Sequence, residues 1–160
     1  MITWLEISNF EFSNINECVK RLKEKNCYVS PWIENICEKY NYKFVKIKKP
    51  KVLARVKVED FGFKGPTELQ AIYKKIENEG YKLVEPQTAI YARLLYTDQP
   101  SGEWLRFATP FDSMVDTDGV PHLPKHGRAL GKNFIETYWS YRKAIFHPHN
   151  EFVCLLYTSP

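Results

Sequence analysis

The spacing of the apolar residues changes at Gly102, and that change limits the chain to folds that mix helices with a sheet. Upstream, Leu69, Ile72, Tyr73 and Ile76 recur at helical intervals between the punctuation at 62–66 and Gly80. This predicts a helix over 67–79. A second segment opens at Pro86, carries Ile90, Leu94 and Leu95 along its inner side, and ends before the turn at 97–102. Downstream, short segments at 103–109, 113–115, 120–123, 133–139 and 151–153 are separated by Gly, Pro, Asp or Asn, the grammar of strands. The expected fold is α+β: two helices packed on one side of a small antiparallel sheet, preceded by an α-α-β-β amino-terminal segment.

That first segment follows from two start signals. Asn14 with Glu17 has the form of a capping box, and Ile15, Cys18, Val19 and Leu22 then repeat at helical spacing. Ser30 before Pro31 is a cap followed by proline at the first helical position, with Ile33, Ile36, Cys37 and Tyr40 on one stripe. Strands are expected at 42–47 and 52–58, with a turn at 48–51 around Pro50. The organisation read from this is a basic segment at 1–60, an α+β domain at 61–153, and a tail at 154–160.

Ten Phe, ten Tyr and four Trp in 160 residues are too many for a disordered chain, and the longest apolar runs are too short to cross a bilayer. Residues 1–10 have no basic leader, so a cytoplasmic location is expected, with no membrane partner. Four cysteines, Cys18, Cys27, Cys37 and Cys154, lie 9, 10 and 117 residues apart, a spacing that gives no zinc knuckle or ribbon. Reduced core thiols are the expectation.

From residue 54 onward the sequence ARVKVEDFGFKGPTELQAIYKKIENEGYKLVEPQTAIYARLLYTDQPSGEWLRFATP, then VDTDGVP, then HPHNEFV, resembles a group of small uncharacterised bacterial proteins. These share an LGF entry to a helix, a DQP-GEWL turn into a strand, a DSDG-P hairpin and a closing W-P-D-RFVF strand. Phe146 stands where that group usually has Trp, and the segments 64–66 and 127–132 depart from its pattern. The resemblance implies two helices with an antiparallel sheet and a bacterial or phage origin, and it implies no activity. The ending CLLYTSP also resembles the translated read-through of a common sequencing adapter, so no site is placed in 154–160.

The formal charge is +4, with a pI of about 8.8. Residues 1–60 hold 12 basic against 8 acidic side chains, and 61–160 hold 11 of each. Lys43, Lys46, Lys48, Lys49, Lys51, Arg55 and Lys57 follow one another with no acid between them, a local field able to attract a polyanion or an acidic partner. A lysine-rich sheet edge that resists pairing with other chains is the ordinary alternative.

Asp112, Asp116, Asp118, His122, His126, His147 and His149 have the side chains that hold a divalent metal and activate water. Their spacing is poor for it. Pro124 between His122 and His126 prevents a helix from presenting both rings on one side, and Asp116 and Asp118 suit a turn ending at Gly119. No serine sits in a nucleophile elbow and no glycine-rich phosphate cradle is present, so no cofactor is expected. On one face of 133–139 lie Phe134, Glu136 and Tyr138, and on the other Ile135, Thr137 and Trp139. Rings displayed beside Lys or Arg can stack bases or grip a peptide, although core packing is their commoner use. The sequence therefore points to a non-catalytic interaction domain. Another protein is favoured over nucleic acid as partner, because the net charge is mild. The rival is a metal-dependent hydrolase or nuclease, which requires the acids and histidines to converge.

Overall fold

The computed structural model describes residues 1–156. In chain order the elements are β1 (Ile2–Ile7), α1 (Ile15–Glu24), β2 (Tyr28–Val29), α2 (Pro31–Tyr40), β3 (Lys51–Lys57), a 3₁₀ turn (Val58–Phe61), β4 (Thr67–Glu68), α3 (Leu69–Asn78), α4 (Pro86–Leu95), β5 (Trp104–Phe107), β6 (His122–Ala129), β7 (Lys132–Trp139), β8 (Ile145–Phe146) and β9 (Glu151–Leu155). Seven strands form one sheet in the order β1-β3-β9-β5-β6-β7-β2, and β4 pairs with β8. The sheet is mixed: β9 runs parallel to β5 and β2 parallel to β7, while the other neighbours are antiparallel.

The helix starts follow their sequence signals. Asn14 accepts from the Glu17 N–H while Glu17 reaches back to the Ser13 N–H, and Ser30 accepts from the Ile33 N–H ahead of Pro31. Asn41, left-handed at φ 41°, closes α2.

The small antiparallel sheet that was expected is instead a seven-stranded mixed one, and two further features differ from the expected arrangement. The helices α3 and α4 lie on opposite faces of the sheet, not on one. On one face α1, α2 and α4 bury Ile15, Leu22, Ile33 and Ile90 with Leu53, Leu105, Phe107, Ile135 and Val153. On the other, Leu69, Ile72, Tyr73 and Ile76 of α3 pack with Ala54, Val56, Leu123 and Phe152. Alternation along β3 and β9 supplies both layers, since Leu53 and Val153 point one way and Ala54 and Phe152 the other. The link between the helices passes through the plane of the sheet beyond the end of β5. There Lys82 and Leu155 exchange two backbone hydrogen bonds and the Val84 N–H donates to Ala108.

Second, the boundary expected at residue 60 does not separate two structures. Strands β1, β2 and β3 from the first sixty residues join the same sheet as β5, β6, β7 and β9. The boundary expected at Val153 falls inside β9, where Cys154 pairs with Ala54 and Leu155 with Leu53. Residues 157–160 of the expected tail lie outside the described residues.

Strand β6 runs through Pro124, where proline breaks were expected to interrupt it. The His122 N–H faces away from β7 and donates to Met114, so alternation turns the Pro124 nitrogen to the same side. The β5 ladder reaches only as far as Lys125, and the missing N–H leaves no ladder bond unmade. No helix among the described residues is long and apolar enough to cross a membrane.

Candidate interaction surface

The basic segment divides into two parts with different environments. Residues 42–50 form no strand, contrary to expectation. They cross from α2 to β3 as an irregular stretch tied down at its start, where Tyr42 accepts from the Ile15 N–H and the Phe44 N–H donates to Ser13. The Phe44 ring then packs on Phe10 at 4.5 Å between centroids and on Tyr91 at 5.7 Å. With Phe44 anchored, the following residues are raised as a ridge: Lys43, Lys46, Lys48 and Lys49 are exposed and Val45 is 74% exposed.

Two neighbouring grooves are lined by the ridge. One, of about 570 Å³, is lined by Ser8, Phe10, Phe12, Lys43, Val45 and Ile47. The other, of about 320 Å³, shares Phe10, Val45 and Ile47 and adds Lys48, Lys51 and Glu85. Phe10, Val45, Ile47 and Glu85 are the surface residues that charge counting missed. Interleaving with the lysines from 43 to 49 was the signal for Val45 and Ile47, whereas nothing local marks Phe10 and Glu85.

The second part of the segment does not share in a common basic field. Lys51 is half-buried, 3.6 Å from Glu85. Arg55, expected among the contact residues, donates from Nε to Glu151 at 2.8 Å and from its terminal nitrogen to Glu151 at 2.6 Å and Glu103 at 2.9 Å. Burial opposes the Arg55 charge, but its hydrogen bonds to Glu151 and Glu103 outweigh it and its pKa lies above the ordinary value. Tyr96 completes the cluster by donating to Glu103 at 2.6 Å. Arg55 is therefore a neutralised structural group. Lys57 is exposed at the end of β3, apart from the ridge.

The acids and histidines of the hydrolase reading do not converge. Asp116 and His122 do meet, with Oδ2 and Nε2 2.8 Å apart, and are 2% and 4% exposed. The His122 Nδ1 lies 2.9 Å from the Thr137 hydroxyl and the ring stacks on Trp32. Hydrogen bonds from His122 and from the Val120 N–H, outweighing burial, hold the Asp116 carboxyl below its usual range. Asp116 also receives the Asp118 N–H, and Gly119 turns the chain at φ 82°. This chain of contacts pins the 115–121 hairpin onto β7.

Four of the other five candidates are elsewhere, and Asp118 is exposed in the same turn as Asp116. His126 is fully buried, with Nε2 2.9 Å from the Ala89 carbonyl. Asp112 faces Arg142 at 3.6 Å, His147 stacks on His149, and Asp118 occupies the turn. No group of three or more His, Cys, Asp or Glu side chains with metal-holding geometry occurs among the described residues. The reason is strand alternation: His122 and His126 share a face four residues apart, about 13 Å along an extended chain, while 147–149 lie in the turn before β9.

Comparison with known families, curated proteins and solved structures returns no match.

Proposed function

We propose that this protein is a non-catalytic interaction domain that receives an acidic, partly apolar segment of another protein against the ridge at 43–49. The observation that carries the reading is Val45, exposed among four lysines and lining two grooves together with Phe10 and Ile47. Lysine alone would serve a solvated edge; an exposed apolar side chain that lines two grooves together with Phe10 and Ile47 adds a surface that gains from being covered. Net charge of +4 supports weak, non-specific attraction of polyanions at the same place.

The test is a titration of the isotope-labelled protein with a Glu/Tyr copolymer, with polyglutamate and with a short oligonucleotide, each at two salt concentrations. The copolymer is expected to shift the amide signals of 43–49 more strongly than polyglutamate does, and to retain more binding at high salt. Oligonucleotide binding at this ridge is expected to fall steeply with salt. Val45→Ser should remove the preference for the copolymer, and changing Lys46, Lys48 and Lys49 to Gln should weaken the copolymer and polyglutamate and abolish the oligonucleotide-induced shifts at 43–49. No perturbation at low salt would leave the ridge as a solvated edge and overturn the proposal.

A further inference from the structure

Helix α3 covers only part of its face of the sheet, and the uncovered remainder carries an ordered set of rings and cations. Alternation and register place Trp104, Gly127 and Phe134 in one cross-strand row over β5, β6 and β7, with Tyr28 of β2 beside Phe134. Ring centroids along this row are 6.4 Å apart from Trp104 to Phe134 and 5.2 Å from Phe134 to Tyr28, which is 39% exposed. The adjacent row holds Arg106, Lys125 and Glu136. Beyond it stands Tyr138, with Arg106 and Lys125 each 5.7 Å from its ring.

The cations in the middle row are poorly compensated. Arg106 and Lys125 face each other directly across the ladder, an arrangement of like charges that destabilises a sheet. Lys125 is 3.9 Å from Glu136, at the limit of an ion pair, and its Nζ lies 4.7 Å from the Trp104 ring. Arg106 has no carboxylate partner among the described residues, and its Nε is buried without a hydrogen bond. Burial, and then Arg106 itself, push the Lys125 pKa below its ordinary value. A cleft of about 330 Å³ opens beside Trp104 and Arg106 and is walled by His149 and Asn150; its two acids, Glu103 and Glu151, are already bound to Arg55.

We propose that this face binds single-stranded nucleic acid, with a phosphate between Arg106 and Lys125 and bases stacked along Trp104, Phe134 and Tyr28. An anion at the facing cations relieves their repulsion and supplies the partner that Arg106 lacks. Rings on both sides of the cationic row favour a ligand that repeats a phosphate and a flat base at every unit, as a single strand does and polyglutamate does not. A duplex keeps its bases stacked on each other and offers them no place on a sheet.

The experiment is fluorescence anisotropy with labelled ten-residue oligo-dT, oligo-U and a duplex of the same length, at 50 and 200 mM salt, with tryptophan quenching recorded in parallel. The expected result is binding of both single strands with quenching, and at least tenfold weaker binding of the duplex. Lys125→Gln should weaken binding about fivefold or more and reduce the salt slope by about 0.7, the value for one lost phosphate contact on a single strand. Tyr28→Ala, at an exposed position that leaves the core intact, should weaken binding several-fold without changing that slope. Arg106→Lys keeps the charge and should retain most of the affinity. Changing Lys46, Lys48 and Lys49 to Gln should leave the affinity within twofold, which separates this face from the ridge. The proposal is overturned by absence of binding at 50 mM salt, by loss in the ridge variant with none in Lys125→Gln, by a Tyr28→Ala variant that binds like the wild type, or by an acidic peptide that displaces the oligonucleotide at equal concentration.

Discussion

Gly127 stands directly opposite Trp104 in the β5–β6 ladder, and the indole occupies the space where a Cβ on residue 127 would lie. The glycine is required by this close approach and not by its backbone angles. Gly127→Ala must displace the indole, and with it the cation–π contact of Lys125. A loss of about 1–3 kcal/mol is expected, the usual cost of overpacking, measured by urea denaturation. A loss below about 0.5 kcal/mol would mean that the indole moves freely.

Leu130 and Gly131 form the two-residue connection between β6 and β7, with φ of 52° and 72°. Such turns place both central residues in the left-handed region, which favours Asn-Gly and disfavours a side chain such as leucine. The Leu130 side chain is fully exposed and gains nothing from packing. Leu130→Asn should therefore stabilise the protein by about 0.5–1 kcal/mol, read as a rise in melting temperature. A fall would show that Leu130 makes a contact in solution.

His126 is buried among apolar groups and near Arg93, and both burial and that charge push its pKa well below the ordinary 6.5, against the hydrogen bond to Ala89. The folded protein therefore keeps the ring neutral where the unfolded chain binds a proton. Stability is full above about pH 7 and declines as the pH falls through 6.5, with a limiting slope of about 1.4 kcal/mol per pH unit. His126→Gln removes this titration. The difference in stability between wild type and variant should shrink between pH 7 and pH 5; a constant difference would contradict a neutral buried ring.

Truncation after Val153 removes Cys154, which is fully buried, and Leu155, which pairs with both Leu53 and Lys82. The expected cost is roughly 3 kcal/mol or more, from a buried side chain and several backbone hydrogen bonds. Calorimetry of the truncated chain checks it. An unchanged melting temperature would mark Cys154 and Leu155 as passenger residues.

Much of the local structure was legible in the sequence. Asn14, Ser30, Pro31, Asn41, Pro86 and Gly119 act over three or four residues, through local hydrogen bonds and the backbone angles these residue types favour, and α1, α2, α4 and the 116–119 turn appear where those residues place them. The strands near 52–58 and 133–139 were also readable, the first as a short run rich in Val and Leu after Pro50, the second from the alternation that separates Ile135 from Phe134.

What only the tertiary structure decided is which residues face one another across long separations. The acids that neutralise Arg55 lie 48 and 96 residues away, so a segment with no acid in its own sequence is not uniformly basic in space. Whether α3 and α4 share a face depends on the link at 81–84 finding the gap beyond β5, and no local period encodes that. The same holds for Asp116 with His122 against the scattered remainder of their group, and for Arg106 opposite Lys125. Local preferences fix the conformation of a few neighbouring residues, whereas strand order and register are set by the burial of the whole sheet, and the contacts that make a site follow from the second.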